Sequence, residues 1–177
     1  MMKRPVRCSV LTAVIVLAVV VSAGCGSYSA APGVLRTAAD ARSNPCALLG
    51  SAQLRQLRFS AGRQEQATDG LGGVVCLWTG YPVAKGPIYT GRLLDGPVSG
   101  GTQSVSINNL RTAQYLPPGV DQRTHCGFLI SVASGRTLVV QFADPKGYMP
   151  GLSHQVACQK AQAAACDMTS TLTALQS

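Results

Sequence analysis

Acidic residues are scarce in this chain: seven Asp and Glu stand against fifteen Lys and Arg in 177 residues, and charged residues make up only 12% of it. Aromatics are at 5%, with a single Trp, and there are two histidines. Each shortage excludes something. Glycoside hydrolysis needs two carboxylates across one cleft. Of Asp40, Glu65, Asp69, Asp95, Asp121, Asp144 and Asp167, only Glu65 and Asp69 are close in sequence, within a polar segment (63–73) that reads as a solvated loop. Two scattered histidines are too few for a zinc site. His125 adjoins Cys126, but neighbours on a strand point to opposite faces, and His154 reads as a solvated residue before or in the first turn of the last helix. A Gly-x-Ser-x-Gly elbow, a Walker loop, His-Glu-x-x-His, Cys-x-x-Cys and a dinucleotide fingerprint are all missing. No catalytic, cofactor-binding or metal-binding residue is therefore expected. The basic residues stand singly, with little aromatic interleaving, which argues against nucleic-acid binding. Low charge beside 46% hydrophobic residues argues against disorder, and the length suits one core.

What the chain does have begins at its start. Residues 1–7 carry Lys3, Arg4 and Arg7 with no acid, and 9–21 are nearly all apolar. That is the layout of a signal peptide, and the apolar run through Gly24 falls short of the roughly 20 residues that cross a bilayer. Ser22-Ala23-Gly24-Cys25 resembles the bacterial lipobox, with Ser22 where Leu is usual and Val21 one step further out. The resemblance implies a diacylglyceryl group on Cys25 and cleavage before it, the alternatives being plain secretion or a retained anchor. Two acyl chains anchor stably where one does not. Lys3-Arg4-Pro5 lacks adjacent arginines, which favours the general secretory route. The expected organisation is a signal peptide (1–24), a lipidated cysteine and flexible tether (25–43) and one globular domain (44–177). Residues 26–43 are small, polar and aperiodic, and a flexible chain of that length reaches roughly 25 Å. Without residues 1–24 the net charge falls from +8 to +5, an excess suited to anionic lipid headgroups or cell-wall polymers.

Asn44-Pro45 is a helix-start signal, with Asn accepting from the free N–H groups of the first turn and Pro in its first position. Cys46, Leu48, Leu49, Leu54 and Leu57 then mark a short helical region interrupted near Gly50-Ser51. Residues 74–79 read as a strand with Cys76 and Trp78 on one face, and weaker strands are expected over 88–94 and 103–110. Asn108-Asn109 reads as a turn before it reads as a polar ligand site. Residues 124–133 and 137–143 form a hairpin turning at Ser134-Gly135-Arg136. A three-residue loop opposes Phe128 with Phe142, Ile130 with Val140 and Val132 with Leu138, which gathers one apolar face and puts Cys126 on it. In the last segment Cys158, Ala161, Ala165, Met168, Leu172 and Leu175 make one helical stripe. The expected fold is α+β, an antiparallel sheet of about four or five strands packed against N- and C-terminal helices. An immunoglobulin-like sandwich would need about seven strands.

With Cys8 lost and Cys25 lipidated, five cysteines remain in a compartment that permits disulfides. Cys126 and Cys158 both face the core and can meet. Cys158 and Cys166 lie on one helix about 12 Å apart along its axis and cannot bond there. Cys46 with Cys76 is the remaining local pair, and Cys166 is a candidate free thiol, read first as a small, partly buried residue.

Asn44-Pro45-Cys46-Ala47-Leu48-Leu49, then Cys76-Leu77-Trp78, then Cys126 opening a Val/Ile-rich hairpin and Ala157-Cys158 in the last helix resemble the actinobacterial lipoproteins grouped as domain of unknown function 3558. The resemblance covers 44–177 and implies a lipid-anchored, disulfide-bonded envelope domain, with no established activity. Cys166 is additional to that four-cysteine pattern and leaves Cys158 and Cys166 as alternative partners for Cys126. The function expected is a non-enzymatic binding or adaptor module on the extracytoplasmic face of the cell membrane. Its contacts are membrane lipid through acylated Cys25 and an envelope protein, lipid or wall polymer. The alternatives are a small apolar-ligand carrier and an envelope hydrolase with an unrecognised site. A deep cavity between sheet and helices favours either alternative, and a filled core favours the adaptor.

Overall fold

The inner strands arise where short runs place apolar side chains on alternate positions, and pairing those runs gives a sheet with two unlike faces. A computed structural model of the chain describes residues 38–80, 86–132 and 135–175; the expected signal peptide, Cys25 and the tether as far as residue 37 lie outside the described residues. Seven strands, β1 (Arg63–Gln66), β2 (Val74–Thr79), β3 (Ile88–Asp95), β4 (Gln103–Ile107), β5 (Leu110–Tyr115), β6 (His125–Val132) and β7 (Arg136–Ala143), make one sheet. Its order is β1-β2-β3-β7-β6-β5-β4 with every pair antiparallel, so two meanders join where β3 meets β7. The expected four or five strands are thus corrected to seven. β1 is the wholly exposed edge Arg-Gln-Glu-Gln, with no apolar alternation to reveal it. The run expected as one strand over 103–110 breaks at Asn108-Asn109, whose φ angles of 49° and 62° are those of a tight hairpin turn between β4 and β5.

The β6–β7 hairpin keeps its three-residue connection, but at 133–135, so Phe128 pairs with Val140, Ile130 with Leu138 and Val132 with Arg136. The expected partners were two residues out. A shift of two leaves each side chain on its own face, whereas a shift of one would invert them all. Cys126 accordingly still faces the core.

Among the described residues four helical pieces accompany the sheet: α1 (Ala38–Ser43), a 3-10 turn (Pro45–Leu48), α2 (Ser51–Leu57) and α3 (His154–Ala174). Residues 38–43, expected as the end of the tether, are helical, because Ala41 packs fully buried in the core and Asp40 accepts from the Asn44 N–H at 2.8 Å. Pro45 takes the first helical position as expected, but Asn44 does not cap with its side chain. Its Oδ1 accepts instead from Gln64 Nε2 at 2.8 Å, tying the turn to β1. The interruption at Gly50 separates the 3-10 turn from α2, and Gly50 N–H donates to Gln53 Oε1 at 2.7 Å.

α3 is capped at its N-terminus by Ser153, whose Oγ accepts from the Val156 N–H, and it packs across β6 and β7. Ala157, Ala161, Ala164 and Ala165 are fully buried, and these small side chains let helix and sheet approach closely. Gly91 does the same from β3: a Cβ there would stand 2.7 Å from Met168 Sδ and 3.1 Å from Trp78 Cζ3. Trp78, Phe142, Ile130, Leu138 and Met168 fill the space between the layers. The buried face of α3 is wider than the expected stripe and takes in Ala164, Cys166 and Thr169, because α2 and the β4–β5 turn cover its flanks. Cys46–Cys76 ties the 3-10 turn to β2 and Cys126–Cys158 ties β6 to α3, each with Cα atoms 4.9 Å apart. Among the described residues no helix is long and apolar enough to cross a membrane.

Candidate functional site

Among the described residues the sheet carries helices on one face only. On the other, Tyr115, Leu129 and Val139 form a small second cluster with Leu71 and Leu94. At the middle of this face Arg92 points out of β3 with its side chain 3% exposed, and Nη2 donates to Asp69 Oδ2 at 2.5 Å. Asp69 also accepts from Gln141 Nε2 at 3.1 Å and from the Leu71 N–H at 3.2 Å. Burial pushes its carboxyl up, but the hydrogen bond and charge of Arg92, with the Leu71 and Gln141 donors, outweigh burial and hold it below its ordinary value. Burial, then the Asp69 charge, pushes the Tyr115 hydroxyl up against the opposing charge of Arg92, so it stays protonated. This network clamps the 67–73 loop onto the sheet. Beyond it, at the β2–β3 end, the face opens into a cleft of about 280 Å³. Leu77, Ile88, Pro145 and Tyr148 line it, with exposed Arg63 and Lys146 at its rim.

A second polar cluster sits at the α3 end of the core. Around the Cys126–Cys158 disulfide, Gln114 Nε2 stands 3.3 Å from Cys158 Sγ, 3.7 Å from Cys126 Sγ and 2.8 Å from His154 Nε2. His154 Nδ1 is 2.8 Å from the Gln122 carbonyl oxygen. A carbonyl oxygen only accepts, so Nδ1 carries the proton and Nε2 presents its lone pair to Gln114 and the sulfurs. His154 is the first residue of α3 and Cys158 is one turn later, with Nε2 3.6 Å from Cys158 Sγ. The two sulfurs and the imidazole nitrogen all lie within 4.8 Å of one another.

A family model for proteins of unknown function, DUF3558, matches residues 20–171. The chain belongs to this family. No curated protein and no solved structure matches it. The expected family therefore stands, and Cys46 with Cys76 and Cys126 with Cys158 form disulfides in the described domain.

The other expected residues are dispersed. Glu65 lies on β1 and pairs with Arg63 at 2.7 Å, while Asp69, expected as solvated, turns inward to Arg92. The two carboxylates thus serve different partners. His125 faces away from the core on β6, with Nδ1 2.9 Å from Thr124 Oγ1. His154, expected as solvated, is half-buried between Gln114 and Gln122, because the first turn of α3 packs against the end of β5. Cys166, the candidate free thiol, is 9% exposed and is itself engaged, so it presents no free thiol. Cys25 lies outside the described residues. Sequence reasoning passed over Arg92 and Gln114. A lone Arg amid a half-apolar strand was the available signal for the first, and the one-turn spacing of His154 and Cys158 was the signal for the cluster that contains the second.

Proposed function

We propose that this protein is a lipid-anchored module of the cell envelope, held on the extracytoplasmic face of the membrane through acylated Cys25, that binds another envelope component without turning it over. The observation that carries the reading is the open end of the helix-free sheet face, where Leu77, Ile88 and Tyr148 line a cleft rimmed by Arg63 and Lys146, beside an interior packed with side chains. The filled layer between sheet and α3 supports binding at the surface over carriage of an apolar ligand inside. An apolar floor with a cationic rim suits a partner that sets an apolar group beside an anionic one. Glu65, Asp69, His125 and His154 serve four separate local contacts, which supports a binding role over a hydrolase that needs such groups to converge.

The test is purification of the native protein from its membranes, wild type beside Leu77→Glu and Lys146→Glu, with mass spectrometry of bound proteins and lipids and an assay on ester, glycoside, peptide and phosphate probes. The expected result is one component retained by the wild type, reduced about tenfold or more in both variants, and no turnover. Turnover abolished by His125→Ala, His154→Ala, Glu65→Gln or Asp69→Asn in a folded protein would establish a hydrolase instead. An apolar ligand retained equally by the wild type and both cleft variants would establish a carrier.

A further inference from the structure

We propose that Cys126, Cys158 and His154 form a zinc site when the Cys126–Cys158 disulfide is reduced. The argument starts from distances. Zinc holds thiolate sulfur at about 2.3 Å and imidazole nitrogen at about 2.0–2.1 Å in a tetrahedron, which sets S···N separations near 3.6 Å and S···S separations near 3.8 Å. His154 Nε2 already stands 3.6 Å from Cys158 Sγ. Once the disulfide opens, two adjustments remain: the cysteine side chains rotate so that their sulfurs part to about 3.8 Å, and the Gln114 amide, whose Nε2 stands 2.8 Å from His154 Nε2, swings aside to admit the metal.

The imidazole is also prepared for the role. Metal-binding histidines commonly donate their second ring N–H to a carbonyl or carboxylate, which fixes the tautomer and aims the lone pair. His154 Nδ1 does this to Gln122 O at 2.8 Å, and Nε2 points at Gln114 Nε2 and the sulfurs. The spacing His154-x-x-x-Cys158 places two donors on one face of α3, and β6 supplies the third from the sheet. Cys126 is 1% exposed, whereas Cys158 and His154 are partly exposed, and the Gln114 amide, 2.8 Å from His154 Nε2 and 3.3 Å from Cys158 Sγ, covers the side from which a fourth ligand would come.

The chemistry balances with a dithiol reductant of the envelope or the test tube. It gives two electrons and two protons to the disulfide and leaves as its own disulfide; zinc then displaces the two thiol protons and binds both thiolates and neutral His154. The disulfide of the oxidised protein offers no thiolate, so metal binding is confined to the reduced form. The site is therefore a redox-controlled one in which either a covalent bond or a metal joins β6 to α3. It stands independently of the surface-binding reading, since it shares no residue with the cleft.

The experiment titrates zinc alone into the purified full chain, oxidised and after reduction, and then alkylates and maps every cysteine. The expected result is one zinc bound per reduced chain, none by the oxidised chain, and slower alkylation of Cys126 and Cys158 with zinc than without it, while the rates at Cys46 and Cys76 do not change with zinc. His154→Ala should weaken zinc by about tenfold or more. No zinc uptake by the reduced chain, equal uptake by the oxidised chain, protection of Cys46 and Cys76 in place of Cys126 and Cys158, or unchanged affinity in folded His154→Ala would each overturn the proposal. Should His154→Ala fail to fold, the alkylation map of the wild type decides alone.

Discussion

Arg92 sets a guanidinium on a central strand with its side chain 3% exposed, and its Nε has no hydrogen-bond partner among the described residues. A charge so placed depends on its counter-ion, and removing one partner of such a pair leaves the other buried and unpaired. Asp69→Asn should therefore cost about 3 kcal/mol, the low end for a buried pair, because Asp69 itself retains 18% exposure. The pH dependence follows from the direction of the shift. Asp69 is held below its ordinary 3.8, so its contribution is full above that value and is lost as pH falls through the lower folded one. Asp167 on α3 has the opposite sign. Burial raises its carboxyl above 3.8, so its contribution is present below that value and is lost as pH rises through the higher folded one. Urea unfolding across a pH series should show a flatter acid limb for Asp69→Asn. Asp167→Asn should be more stable than the wild type at neutral pH, with the advantage gone in acid. A steeper acid limb for the first, or a neutral-pH loss for the second, would contradict these assignments.

Among the elements, the β4–β5 hairpin carries two loads in two adjacent residues. Asn108 and Asn109 both have positive φ, which glycine adopts more readily than any L-residue. Only Asn108 reaches out of the turn, its Nδ2 donating to Cys166 O at 3.0 Å, Thr169 Oγ1 at 2.8 Å and Ser170 Oγ at 3.2 Å. Asn109→Gly should be neutral or slightly stabilising, whereas Asn108→Gly should lose about 1 kcal/mol or more as the lost bonds to α3 outweigh the relaxed backbone. Thermal unfolding of the two variants checks this, and equal midpoints would remove the tie to α3. The turn was legible in the asparagine pair, and so were α3, β2, the β6–β7 hairpin and the Cys46–Cys76 disulfide, since each follows from local periodicity or from the face a cysteine occupies. β1 was not. Its four residues are all exposed and gain their strand geometry from pairing with β2, a contact that leaves no mark in local hydrophobicity. Nor was the two-residue change of hairpin register, because the apolar pattern repeats every two residues and fits both.

For the whole molecule, the reading as a lipid-anchored module rests on Cys25, and the cysteine inventory tests it. The wild-type protein should partition into detergent with an acylated N-terminal Cys25, and Cys25→Ala should carry no acyl chain. Unreduced peptide mapping should return Cys46–Cys76 and Cys126–Cys158. Recovery of Cys25 in a disulfide-linked peptide would overturn the anchor, because one sulfur cannot hold both a thioether and a disulfide. The sequence by itself determined the α+β class, the Cys46–Cys76 pair, the family and the lack of a known catalytic motif, all of which depend on residue type and short-range spacing, while the structure chose Cys158 over Cys166 as the partner of Cys126. Only the tertiary structure decided that seven strands close into one sheet, that Asp69 turns inward to Arg92, and that His154 meets the Cys126–Cys158 pair. Asp69 and Arg92 are 23 positions apart in sequence, Gln114 and His154 are 40 apart, and β3 pairs with β7 across 41 to 55 positions. Such contacts arise from the simultaneous packing of several elements, and no local pattern in any one of them encodes it.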